Sequence, residues 1–143
     1  MNYPLRKHNG LLLSNPKPID FSGYNMTAAT GDSSLNSYTV PSSRVAIIDA
    51  IHVMVGLVSA TTVDYLGMAI ERITPQRGSA FIINYFEDIG FGNAPHIVAM
   101  APHILLHSKE TLVATASASG TGMTWMHNHA LTITEYDVLE VKE

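Results

Sequence analysis

The sequence predicts an all-β fold, an antiparallel β-sandwich with about eight strands, the number of a jelly roll. Three observations predict it. From Ser37 to the end, runs rich in Val, Ile, Thr and Tyr alternate with short clusters of Gly, Pro, Ser, Thr and Asn. No segment reads convincingly as a helix. Strands therefore do not alternate with helices, as a parallel sheet would require. At 143 residues the chain is long enough for one core, burying about 68% of its unfolded surface.

The elements follow in order. Residues 1–36 are dominated by Asn, Pro, Gly, Ser and Thr, with Pro4, Pro16 and Pro18 denying the backbone donors. They are expected to form an extended N-terminal arm outside a sandwich domain of residues 37–143. Residues 37–41 make a short strand and residues 44–57 a long one. In the long strand, Val45, Ile47, Ile51, Val53 and Val55 are assigned to the core face. Arg44, Ala46, Ile48, Ala50, His52 and Met54 fall on the other face. That face is less polar than water requires, so part of it is expected to meet another sheet or subunit. Further strands are expected at 63–73, 80–86, 96–100, 103–107, 111–118 and 123–138, although Pro102 could instead open a helical turn.

Composition narrows the function. Only 14% of residues are charged while 46% are apolar, against roughly 25% charged in an ordinary soluble domain. Surface buried against other chains accounts for that deficit, which points to a homo-oligomer or a larger assembly. Eight Lys and Arg against twelve Asp and Glu give a net charge of −4, so a clustered basic footprint for nucleic acid is not expected. With no cysteine, a disulfide framework, a thiolate zinc site and a cysteine nucleophile are excluded. The longest near-apolar stretch, residues 45–58, is interrupted by Asp49 and His52 and is too short for a bilayer span. Leu11, Leu12 and Leu13 are the only apolar run near the start, shorter than a signal-peptide core of about 7 to 15 residues. Synthesis in the cytoplasm, without a membrane partner, is the expectation.

The chemistry-bearing residues do not compose an enzyme. His127-Asn-His129 followed by Glu135 resembles the metal-binding strand of a cupin. The glycines at 120 and 122 and the position of Glu135 miss that spacing, and too little chain follows for the second half of the motif. His127 and His129 share a strand face with Trp125, Leu131 and Ile133, which places them at the end of the core or at a subunit contact. His103 and His107 have the spacing of a helical zinc pair without the glutamate between them. Asp49 is expected to pair with Arg44 or Arg72. There is no Gly-x-Ser-x-Gly elbow and no phosphate-binding glycine loop. Asn25-Met-Thr27 matches a glycosylation sequon, without a secretory signal to make it meaningful. No catalytic residue, metal or cofactor is assigned.

Two stretches carry a resemblance. Tyr38-Thr-Val-Pro41 followed by the long strand from Val45 to Val53 resembles the opening of small β-sandwich structural proteins of tailed bacteriophage virions. The run from Lys109 to Gly120, followed by Leu131-Thr-Ile-Thr-Glu-Tyr136, is similar to the last two strands of the same proteins. The resemblance implies a virion component, typically a trimer, acting as capsid decoration or cement or as a head-tail or fibre adaptor. The major capsid protein or another virion protein would be its partner. Interface candidates are Arg6, Lys7, Leu11, Leu12 and Leu13 on the arm, reaching a neighbouring molecule, and Ile48, His52 and Met54 on the long strand. The small-residue run 114–119 suits close approach of a neighbour, and the loop 87–95 is the candidate sugar site of an adaptor.

Overall fold

The computed structural model of the chain describes residues 5–87 and 96–139. They form ten strands and no helix: β1 (Arg6–His8), β2 (Leu11–Thr27), β3 (Gly31–Thr39), β4 (Arg44–Ser59), β5 (Thr62–Thr74), β6 (Gly78–Glu87), β7 (His96–Met100), β8 (Ile104–Leu106), β9 (Thr111–Thr121) and β10 (Thr124–Leu139). One sheet has the order β1-β2-β10-β4-β7, with β8 also on β4, and the other the order β3-β9-β5-β6. Every pairing is antiparallel. β7 pairs with residues 51–55 of β4 and β8 with residues 46–48, so the two share one sheet position. With β1 as an added edge strand, the order in which the chain visits the two sheets is that of a jelly roll.

The expected arm does not lie outside this sandwich. β2 pairs with β10 from Thr27 opposite Trp125 to Leu12 opposite Leu139, and β3 pairs with β9 in the other sheet. Residues 6–39 therefore supply strands to both sheets, and the boundary at residue 36 falls inside β3. The polar, proline-bearing composition belongs to an edge. Along residues 16–18, β2 has β10 on one side only, where a proline without its donor is tolerated. Asn15, with φ of 52°, sits where the register slips between Lys17 and Ser14 and bends the strand. The eight strands expected from residue 37 onward correspond to β3–β10, and β1 and β2 bring the number among the described residues to ten.

The inner faces meet in one core that includes Phe21, Ile51, Val53, Val55, Leu66, Met68, Ile70, Trp125 and Ile133. Ala114, Ala116 and Ala118 are fully buried in it. The small-residue strand thus admits bulky side chains of the opposite sheet, and is not a seat for a neighbouring molecule at these three positions.

A bulge decides the faces of β4. Opposite β10, Ile48 pairs with Ile133 and Ala50 with Thr132, which leaves Asp49 without an opposed residue. The extra residue reverses the alternation. Ala46 and Ile48 point inward with Ile51, Val53 and Val55, whereas Val45 and Ile47 point out. Ile48, expected at an interface, is a core residue at 0% exposure. Val45 and Ile47 are covered by a small second core with Leu13, Tyr136, Leu11 and Leu105. The leucine run predicted to anchor on another molecule anchors on its own sheet.

Candidate interaction surface

The outer face of the β2-β10-β4-β7 sheet has two unlike ends. At one end the β1-β2 strands close over the second core. Arg6 forms a bidentate ion pair with the bulge residue Asp49, at 2.6 and 2.8 Å, and donates to the Tyr136 hydroxyl at 3.0 Å. His103 Nδ1 lies 2.9 Å from the same carboxylate. Hydrogen bonds from Arg6, opposed by burial and joined by His103, hold Asp49 at about 2. Asp49 is therefore satisfied by Arg6 and His103, not by the expected Arg44 or Arg72. Arg44 binds Glu135 and Asp137 on β10, each at 2.6 Å, and the Asn15 carbonyl at 2.7 Å, which pins the bend of β2. Arg72 belongs to Glu110.

At the other end nothing among the described residues covers the face. Register places Tyr24, Asn128, Met54 and Ile97 in one row across four strands. Met26 and Met126 share the next row with Gly56, and Ser22, Ala130, His52 and Ala99 share the row on the other side. Tyr24 is 60% exposed, Met26 51% and Ile97 58%, while Met54, Met126 and His52 are half-buried between strands. Three thioethers, a phenol and an isoleucine form an adaptable apolar stripe with no Lys or Arg in these rows. A face of this kind binds by packing, with little help from charge.

Of the sequence-derived candidates, the fold brings only His52 and Met54 to this stripe. Arg6, Leu11 and Leu13 are occupied within the chain, Leu12 is half-buried in the strand pairing, and Lys7 is exposed on β1. Tyr24, Met26 and Ile97 were missed. A signal for two of them existed: Phe21 is buried while Ser22, Tyr24 and Met26 keep a period of two on the opposite face.

The cupin-like group is not assembled. His127 and His129 point into the core, at 4% and 2% exposure. His127 stacks at a tilt on Trp125, with ring centroids 4.9 Å apart, and His129 meets the edge of Phe21 at 5.5 Å. His129 Nε2 is 3.2 Å from Asn36 Nδ2, and Gly23 leaves room for the ring, since a Cβ there would lie 2.8 Å from His129 Cε1. Burial pushes both imidazoles below their ordinary value, favouring the neutral form. Glu135 is taken by Arg44 and by the Tyr38 hydroxyl, which donates to it at 2.6 Å. Among the described residues no group of three His, Asp or Glu side chains could share a metal ion. Residues 88–95 of the candidate sugar loop lie outside the described residues.

The chain matches no family model and no curated protein sequence. The described residues define the class, a β-sandwich with jelly-roll strand order and an apolar sheet face that none of them covers.

Proposed function

We propose that the chain is a structural component of a bacteriophage virion, a capsid decoration protein that acts by binding and not by turnover. The observation that carries the assembly reading is the stripe of Tyr24, Met26, Met54, Met126 and Ile97 on an otherwise weakly charged molecule. The resemblance at residues 38–41, 45–53, 109–120 and 131–136 supplies the virion context. The stripe is the contact between copies in a homotrimer, and the assembled trimer sits on the major capsid protein. A tail or head-tail adaptor is the second reading, supported by the same resemblance.

Light scattering at micromolar concentration tests the contact. The trimer mass is expected for the unaltered chain, and a folded monomer for Tyr24→Asp combined with Met54→Asp, because each buried charge would lack a partner. A monomeric unaltered chain refutes the contact between copies. Ile48→Asp is expected instead to unfold the domain. Electron microscopy of purified particles separates decoration, with density over the capsid lattice, from an adaptor, with density at the tail or portal.

A further inference from the structure

We propose that the cleft between the β5-β6 turn and the β8-β9 turn is a binding site for a tetrahedral oxyanion, a phosphate or sulfate group. The cleft has a volume of about 700 Å³ and is walled by residues 74–80 on one side and 107–110 on the other. Its charge is opposite to that of the chain. Among the described residues, Arg72, Arg77 and Lys109 line it, against Glu110 as the one acid.

Glu110 does not cancel the excess. Its carboxylate is consumed by Arg72 Nε and Nη2, at 2.7 and 2.9 Å, by the Thr74 hydroxyl at 2.8 Å and by the His107 amide at 2.6 Å. The same bonds tie one wall to the other. The far turn is held further by the Lys109 amide donating to the Val40 carbonyl at 2.8 Å and by the Val40 amide donating to the Glu110 carbonyl at 2.9 Å. The Arg72–Glu110 pair is thus neutral and braced, and the exposed Arg77 and Lys109 line the same cleft with no ion-pair partner among the described residues.

Backbone strain points the same way. Lys109 has φ of 68°, a left-handed conformation that non-glycine residues seldom adopt, and its amide donates to the Val40 carbonyl. The turn therefore carries a lysine where Asn or Gly would sit more easily. A guanidinium and an ammonium on facing walls, with His107 and the hydroxyl of Ser79 beside them, offer donors from several directions, while the Ser108 hydroxyl is spent on the Arg44 carbonyl. That arrangement suits the diverging oxygens of a phosphate or sulfate better than the planar pair of a carboxylate. With no Phe, Tyr or Trp among the described residues that line the cleft, recognition rests on the anion itself.

Amide-resolved NMR titration of the full chain with sodium phosphate and sodium sulfate, at constant ionic strength set with sodium chloride, tests the site. Saturable shifts confined to residues 74–80 and 107–110 are expected, with sodium acetate binding at least several-fold more weakly. Arg77→Gln and Lys109→Asn replace each charge with a neutral polar amide, and Asn tolerates the left-handed backbone, so both variants are expected to fold with an unchanged melting temperature. Each removes charge-assisted hydrogen bonds and is expected to weaken binding about tenfold or more. A sulfated disaccharide binding at least tenfold more tightly than free sulfate assigns the group to a saccharide; equal affinity assigns the free ion. Absence of saturation at 50 mM, shifts spread over the whole surface, or unchanged affinity in the folded double variant would overturn the site.

Discussion

Glu110→Gln tests how much of the fold rests on one buried carboxylate. Glu110 is 3% exposed, and burial by itself would push its carboxyl up. Arg72, the His107 amide and Thr74 outweigh that effect and hold it at about 2, against an ordinary 4.5. A carboxyl held below its unfolded value contributes stability that is fully present above pH 4.5 and is lost as pH falls toward 2. At about 1.4 kcal/mol per pH unit, the displacement corresponds to about 3 kcal/mol. Urea unfolding followed by circular dichroism, at fixed protein concentration and at pH 7, 4.5 and 2.5, measures it. The variant is expected to be less stable than the unaltered chain by about 3 kcal/mol at pH 7, with the gap shrinking steadily toward the lowest pH. Comparison with the variant isolates Glu110 from Asp49, which titrates in the same acid range and is present in both chains. A gap of equal size at all three pH values would refute the assignment of this stability to the ionised carboxylate.

Gly23→Ala should cost about 1–3 kcal/mol, because the new methyl group forces the His129 ring off its seat between Phe21 and Asn36; chemical denaturation checks it, and adding His129→Ala should recover part of the loss. Arg6→Ala should lower global stability by about 1 kcal/mol or less, since the pair with Asp49 is partly exposed. Hydrogen exchange should nevertheless quicken at Leu11, Leu12 and Leu13 while the β9 amides are unaffected. Because His127 and His129 are held below their ordinary value, their neutral forms contribute stability present above about pH 6.5 and lost as pH falls below it. His127→Leu should flatten the decline between pH 7 and 5 measured by thermal melting, and an unchanged slope would count against a buried neutral imidazole.

Much of the sandwich was legible in the sequence because a half-buried strand must alternate and a turn must carry residues that tolerate it. The strand expected at 96–100 coincides with β7, and those at 44–57, 63–73, 80–86 and 123–138 lie within or close to β4, β5, β6 and β10. The inward direction of His127 and His129 followed from the same alternation. Three things were decided only by tertiary structure. The N-terminal segment reads as loose chain because an edge strand needs few apolar residues and tolerates proline; its pairing with β10 is a long-range event that local composition does not encode. The faces of residues 44–48 were reversed by a bulge at Asp49, where one unpaired residue shifts every earlier side chain to the opposite face. The ion pairs of Arg6, Arg44 and Arg72 reach partners 43, 91 to 93 and 38 residues away, distances over which sequence spacing carries no geometric information. The sequence alone determined the alternation and the turns; the folded sheets decided which faces are covered, and so left Tyr24, Met54 and Ile97 together on a face that no described residue covers.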